Sequence, residues 1–224
     1  MSERDASLSE VLEKAAVLQE LVPGAVLVGG TAAALHAHHR ESLDHDHVVG
    51  DLVERFDTIL ESLEALGDWS TARAQPGKII LGELGGIETG VRQLLRSRPL
   101  ETTEIRVRDR RLVTPTTMEI LRIKAWLVLS RNQARDYLDV AALSERIGLD
   151  EAAAVLRAID DYYDDLNERP EAVATQLVRQ LADPRPRDAE VTEQLSDYKA
   201  LSPRWHDWSA VRTVLMEVAE RMTR

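Results

Sequence analysis

Gly29-Gly30-Thr31 and, beyond a stretch rich in helix formers, Asp44-His45-Asp46 are the residues in this chain best suited to handle phosphate and metal. Adjacent glycines where a strand passes into a helix leave backbone N–H groups unpaired at the positive end of the helix dipole. The missing side chains also let a polyphosphate come close. Strand alternation puts Asp44 and Asp46 on one face, where two hard carboxylates suit a divalent cation such as Mg2+ or Mn2+. Such a cradle followed by metal-holding acids is equipment for nucleotidyl transfer from an NTP.

A second constellation lies in the C-terminal half. Lys124 and Arg131 recur at a spacing that brings them to one helix face, where two cations could grip the phosphates of a nucleotide. Arg135, Asp136 and Asp139 follow on the next helix, the two acids sharing a face. Ion pairs on a solvated helix would give the same pattern. A basic run holds Arg92, Arg96, Arg98, Arg106, Arg108, Arg110 and Arg111, which suits either a polynucleotide contact or soluble strand edges.

Five of the six histidines, His36, His38, His39, His45 and His47, fall close together. They raise a rival of another reaction class, an HD-type metal phosphohydrolase built on His45-Asp46. Such dyads belong in helix bundles, whereas this one runs on into Val48-Val49. The expectation is that His36, His38 and His39 lie on the helix after the glycines, near bound phosphate. A third class is a non-catalytic binding module of the same fold. An aspartate pair facing a cleft would repel itself without a metal, which argues for retained catalysis.

The elements that must position these residues are legible. Helical periodicity marks 8–21, with Ser7 or Ser9 as cap, and Ala25-Val26-Leu27-Val28 is a buried strand running into the glycines. Asp51 is placed to cap a helix to Leu66 with Val53, Phe56, Ile59, Leu60 and Leu63 on its apolar side, and Gly67 stops it. Strands are expected over 69–74, 78–84 and 87–95, with Gly85-Gly86 as a hairpin turn, and one strand or ribbon over 105–113. Thr116 and Glu119 form a capping box for a helix to Ser130. A helix over 134–147 then stops at Gly148, and Asp150 caps another to Leu166. A further helix follows Pro170, and after a break at Pro184-Arg185-Pro186 a last one spans 208–222.

With 224 residues the chain can bury a real core. It has no cysteine, so disulfides and thiolate zinc sites are excluded. Met1-Ser2-Glu3-Arg4-Asp5 lacks the basic start of a secretory signal, and no long apolar span occurs, so a cytoplasmic protein without a membrane partner is expected. A net charge of -11 repels nucleic acid at long range, so DNA is not an expected partner and RNA would need a local patch. The expected architecture is α+β: a mixed-sheet α/β domain over 1–113, then a helical bundle over 114–224.

Taken in order, the glycine pair and the Asp-x-Asp resemble the signature of the DNA polymerase beta type nucleotidyltransferase superfamily. With Lys124, Arg131 and Arg135-Asp136-Tyr137-Leu138-Asp139 added, residues 25–147 resemble the AbiEii/AbiGii family of abortive-infection toxins, which includes the MenT toxins. The resemblance implies transfer of a nucleotide from ATP, CTP or GTP to an acceptor hydroxyl, such as a tRNA 3′ end or a protein side chain. A cognate antitoxin would be the partner. It implies that Gly29, Gly30 and Thr31 hold phosphates and that Asp44 and Asp46 hold the metal, with Glu88, in Ile87-Glu88-Thr89 of a later strand, as the candidate third carboxylate. Lys124 with Arg131 would bind the nucleotide, and Asp136 or Asp139 would serve as general base or orient Lys124. His45 departs from the family, which commonly has an apolar residue between the two aspartates.

Overall fold

A computed structural model describes residues 8–198 and 200–224. The chain divides into two compact units: residues up to Ala32 together with Ser42–Thr116, and Ala33–Glu41 together with Thr117–Arg224. The secretory-signal reading of Met1–Asp5 and the Ser7 cap lie outside the described residues.

In the first unit, α1 (Leu8–Leu21), β1 (Val26–Val28), the start of α2 (Gly29–Ala37), β2 (His45–Val49) and α3 (Leu52–Glu64) precede β3 (Trp69–Gln75), β4 (Ile79–Leu84) and β5 (Ile87–Gln93). The sheet runs in the order β1-β2-β5-β4-β3 and is mixed, since β2 and β5 pair in parallel while the other neighbours are antiparallel. One face carries Val49, Val91, Ile80 and Leu84, and packs on Leu18 and Val22 of the α1 region and on Leu52, Phe56, Ile59 and Leu63 of α3. This core fixes the register, because a one-residue slip would turn those side chains to the wrong face.

The expected strand or ribbon over 105–113 is a two-stranded ribbon, a hairpin of β6 (Thr102–Val107) and β7 (Arg110–Pro115). Its turn needs a left-handed residue, and Arg108 takes that conformation at φ 54°. No glycine or asparagine announced it. Two details of α3 also differ. Asp51 makes no side-chain cap and instead holds Arg55 at 2.7 and 2.8 Å, and Val53 is 62% exposed, off the apolar side.

The second unit is helical. It contains α4 (Thr117–Arg131), α5 (Ala134–Ile147), α6 (Leu149–Arg157), α7 (Asp160–Tyr163), α8 (Val173–Ala182), α9 (Ala189–Thr192) and α10 (Trp208–Met222). The helix expected from Asp150 to Leu166 is α6, α7 and a 3-10 turn. Gly148 stands at the cap of α6, while Asp150 pairs with Arg221 at 3.0 Å. Helix α4 buries more than one side, including Glu119, Arg122 and Lys124, so it reads weakly as amphipathic.

Candidate functional site

In the first unit β1 delivers Gly29 at φ 74°, a left-handed conformation that disfavours any other residue. Space excludes a side chain as well: a Cβ there would stand 3.2 Å from Asp46 Oδ2 and 3.3 Å from Asp46 Cβ. The first turn of α2 is tied to the entry of β2 by the Thr31 hydroxyl, which donates to the Asp44 carbonyl. Thr31 is therefore buried and occupied with the main chain. Ser42 Oγ donates to Asp44 Oδ1 at 2.8 Å and orients that carboxylate.

Burial alternates along β2. His45, His47 and Val49 are buried, while Asp44, Asp46 and Val48 are half-buried, so the two aspartates share the face opposite the helix-covered core. Parallel pairing sets Gly90 beside Asp46, and a Cβ at Gly90 would meet Asp46 Oδ1 at 2.9 Å and Leu81 at 2.8 Å. Two glycines thus clear the space around one carboxylate. Arg92, on the same face, has its Nε 3.6 Å from Asp46 Oδ1.

This donor set fits a divalent cation: two hard carboxylates on one half-open face, with glycines where side chains would crowd them. Glu88 shares that face on β5 but is exposed, and among the described residues no three carboxylate or imidazole groups converge. The third-ligand expectation for Glu88 thus has the face but not the convergence.

The histidines correct the sequence reading. His45 and His47 are buried behind the aspartates, edge to face at 5.3 Å. Thr89 Oγ1 donates to the His45 carbonyl and stands 2.8 Å from His45 Nδ1, so the ring carries its proton on Nδ1. Burial pushes His45 down to about 4 and His47 well below the ordinary range. His45 and Asp46 point to opposite faces, which removes the HD reading. Helix α2 ends at Ala37, and His38 leaves it at φ 53°, so His39 is not on the helix as expected.

The arginine run is largely spent on acids and carbonyls. Arg108 pairs with Glu13 at 2.6 Å, Arg110 with Glu20, and Arg111 with Glu104 at 3.4 Å. Arg96 is buried and donates to the carbonyls of Arg98 and Pro99.

In the second unit α4 and α5 bring Lys124 to both aspartates, 2.7 Å from Asp139 Oδ2 and 3.6 Å from Asp136 Oδ1. Lys124 is only 2% exposed, whereas the side chain of Arg131, 3.2 Å from Asp136 Oδ1, is 39% exposed. Arg131 is the outer cation. Asp139 also receives a forked contact from Arg40, Nε at 2.9 Å and Nη2 at 3.1 Å, and His39 Nε2 at 2.7 Å. Burial alone would raise the Asp139 carboxyl, but Arg40, Lys124 and His39 outweigh it and hold it well below the carboxylate range. Burial dominates at Asp136 and raises it, with Lys124 and Arg131 offsetting only part. Asp136 Oδ2 has no hydrogen-bond partner.

Sequence reasoning found Lys124, Arg131, Asp136 and Asp139 but missed the part played by Arg40 and His39. The contact between Arg40 and Asp139 joins residues far apart in sequence, and no local pattern marks it.

No family profile matches the chain. It is 38% identical over 146 residues to the heme uptake protein MmpL11 of Mycobacterium tuberculosis and 38% identical over 128 residues to the mycolic acid-containing lipids exporter MmpL11 of Mycolicibacterium smegmatis. Those matches take 62% and 57% of this chain but only 14% and 13% of the relatives, so the chain spans a small part of their length. Among the described residues no helix is long and apolar enough to cross a membrane.

Among solved structures, one from H. pylori assigned as a nucleotidyltransferase superposes with a TM-score of 0.55 at 17% identity, covering 100% of this chain and 96% of its own. The nucleotidyltransferase toxin MenT4 of M. tuberculosis H37Rv gives 0.55 at 16%, covering 96% and 82%. This chain has the nucleotidyltransferase fold. ANT(2″)-Ia, solved with adenylyl-2″-tobramycin, gives 0.51 at 12%, covering 68% and 97%.

Proposed function

We propose that the chain transfers a nucleotide from an NTP to an acceptor hydroxyl. The observation that carries this is the packing of left-handed Gly29 against Asp46, on the face Asp46 shares with Asp44. It sets a backbone phosphate cradle beside two carboxylates, an arrangement a plain turn has no need of.

Gly29 and Gly30 offer main-chain N–H groups to the triphosphate, and Thr31 stiffens the cradle by fastening it to Asp44. Asp44 and Asp46 would hold Mg2+ or Mn2+, which supplies Lewis-acid charge to the phosphates when bound. The acceptor oxygen forms a bond to the α-phosphorus, the bond to the β-phosphate oxygen breaks, and pyrophosphate leaves with that electron pair. As the resemblance implies for the helical unit, Lys124 and Arg131 are the cations assigned to the nucleotide's phosphates. Asp139, saturated by fixed cations, orients Lys124. Of the two helical acids, Asp136 is the candidate general base, since its Oδ2 has no hydrogen-bond partner.

The resemblance to the AbiEii/AbiGii family extends the proposal to a toxin whose acceptor is the tRNA 3′ end and whose partner is an antitoxin. Incubating the protein with each labelled NTP, Mg2+ and total tRNA or protein tests it. Label on RNA is expected; label on protein moves the acceptor, and phosphate release without label overturns transfer. Asp44→Ala should abolish incorporation, by about a thousandfold or more, with folding intact. Undiminished labelling by that variant would sink the reading.

A further inference from the structure

The buried cluster of the helical unit can be counted charge by charge. Within the ion-paired set Asp139 and Asp136 contribute two negative charges and Lys124, Arg40 and Arg131 three positive, while the exposed Arg135 acts on Asp136 from outside the set. His39 adds none, because burial lowers it, more than Asp139 opposes, and keeps the ring neutral. A carboxylate oxygen accepts only, so His39 gives its Nε2–H to Asp139 and leaves Nδ1 bare, in keeping with that atom having no partner. Within that ion-paired set one positive charge is left over, and removing Arg40 removes it. Without Arg40, Asp139 and Lys124 would neutralise each other at 2.7 Å.

We propose that Arg40 is a positioning residue: as counter-cation to Asp139 it leaves the Lys124 charge uncompensated, so the cluster keeps a net positive charge for a polyphosphate anion. This rests on the reading of Lys124 and Arg131 as phosphate-facing cations. Arg40 suits the task because its guanidinium spans both oxygens of the carboxylate and does not give up its proton, whereas Lys124 makes one short contact to Oδ2. The residue comes from outside the helices that carry the acids, in the segment between α2 and β2. That segment is pinned where the Ser202 N–H donates to the His39 carbonyl at 2.8 Å.

The test uses inorganic triphosphate without metal as probe, measured by titration calorimetry on the full chain, with labelled-NTP incorporation measured in parallel. Wild type should bind triphosphate and Arg40→Gln should weaken binding on the order of tenfold, the effect of one unit charge a few ångström away at an intermediate dielectric. The double variant Arg40→Gln/Asp139→Asn removes both charges of the pair, restores the net positive charge, and should bind within about threefold of wild type. It strands no buried guanidinium and leaves Lys124 with Asp136 at 3.6 Å, so it remains testable should Arg40→Gln alone fail to fold. Arg40→Lys keeps the charge without the fork and should also bind within about threefold. Unaltered binding by Arg40→Gln, or no recovery in a folded double variant, overturns the proposal, and so does a wild type that binds no triphosphate. Triphosphate binding that follows this pattern without nucleotide incorporation would overturn the transferase reading and leave the charge role of Arg40 standing.

Discussion

The chain carries two aspartate pairs, and their surroundings differ more than their chemistry. Asp46 stands on β2 and Asp44 just before it, both half-buried, with Ser42 on Asp44 at 2.8 Å and Arg92 at 3.6 Å from Asp46. Asp136 and Asp139 stand on a helix, fully buried, among Arg40, Lys124, Arg131 and His39. A carboxylate surrounded by fixed cations has no call on a mobile one. A half-buried pair keeps a side open to a diffusible cation. These surroundings suit the first pair to the exchangeable metal proposed for it and the second to permanence.

The largest effects separate the pairs most sharply. Asp44→Ala, which should end incorporation, should leave stability within about 1 kcal/mol, because that side chain faces away from the core. Asp139→Ala should cost about 3–5 kcal/mol in urea unfolding, since it strands Arg40 and Lys124 without their shared acid. A loss under about 1 kcal/mol would mean that the helical pair is solvated and the contrast false.

The ground behind the first pair should show in acid. The ordinary histidine value is 6.5 and folded His45 lies at about 4, so between these the unfolded chain binds the extra proton. Stability is complete above about 6.5, falls as pH drops, and levels off below about 4, with a loss of order 2–3 kcal/mol. Comparing urea midpoints at pH 7 and pH 4.5 for wild type and His45→Gln measures it. An equal drop in both would assign the acid sensitivity elsewhere.

Gly90→Ala should have the smallest effect, about 1–3 kcal/mol from crowding Leu81, together with a fall in incorporation as Asp46 is displaced. Incorporation equal to wild type would show that the space around Asp46 is not needed.

Much of this was readable beforehand. The bounds of α1 and α5, the strands of the large sheet, the glycine turn and the shared face of Asp44 and Asp46 follow from periodicity and turn chemistry, which act over a few residues. The ribbon over 105–113 was open to expectation, but its turn could not be located because an arginine, Arg108, occupies the left-handed position. Val53 was misplaced because an apolar residue at helical spacing need not be inside. The histidines misled because their density suggested a metal, whereas parallel pairing with β5 seals His45 and His47 into the core. Arg40 was invisible for the same reason in reverse, its partner lying on a helix far along the chain.

The grouping of residues 33–41 with the helical unit bears on inheritance. A single crossover near residue 114 would hand on the lysine and both helical aspartates but leave behind the arginine that balances them. Recombination that preserves this device must carry two separate stretches of the gene, so the two halves should vary as a linked pair and resist shuffling as cassettes.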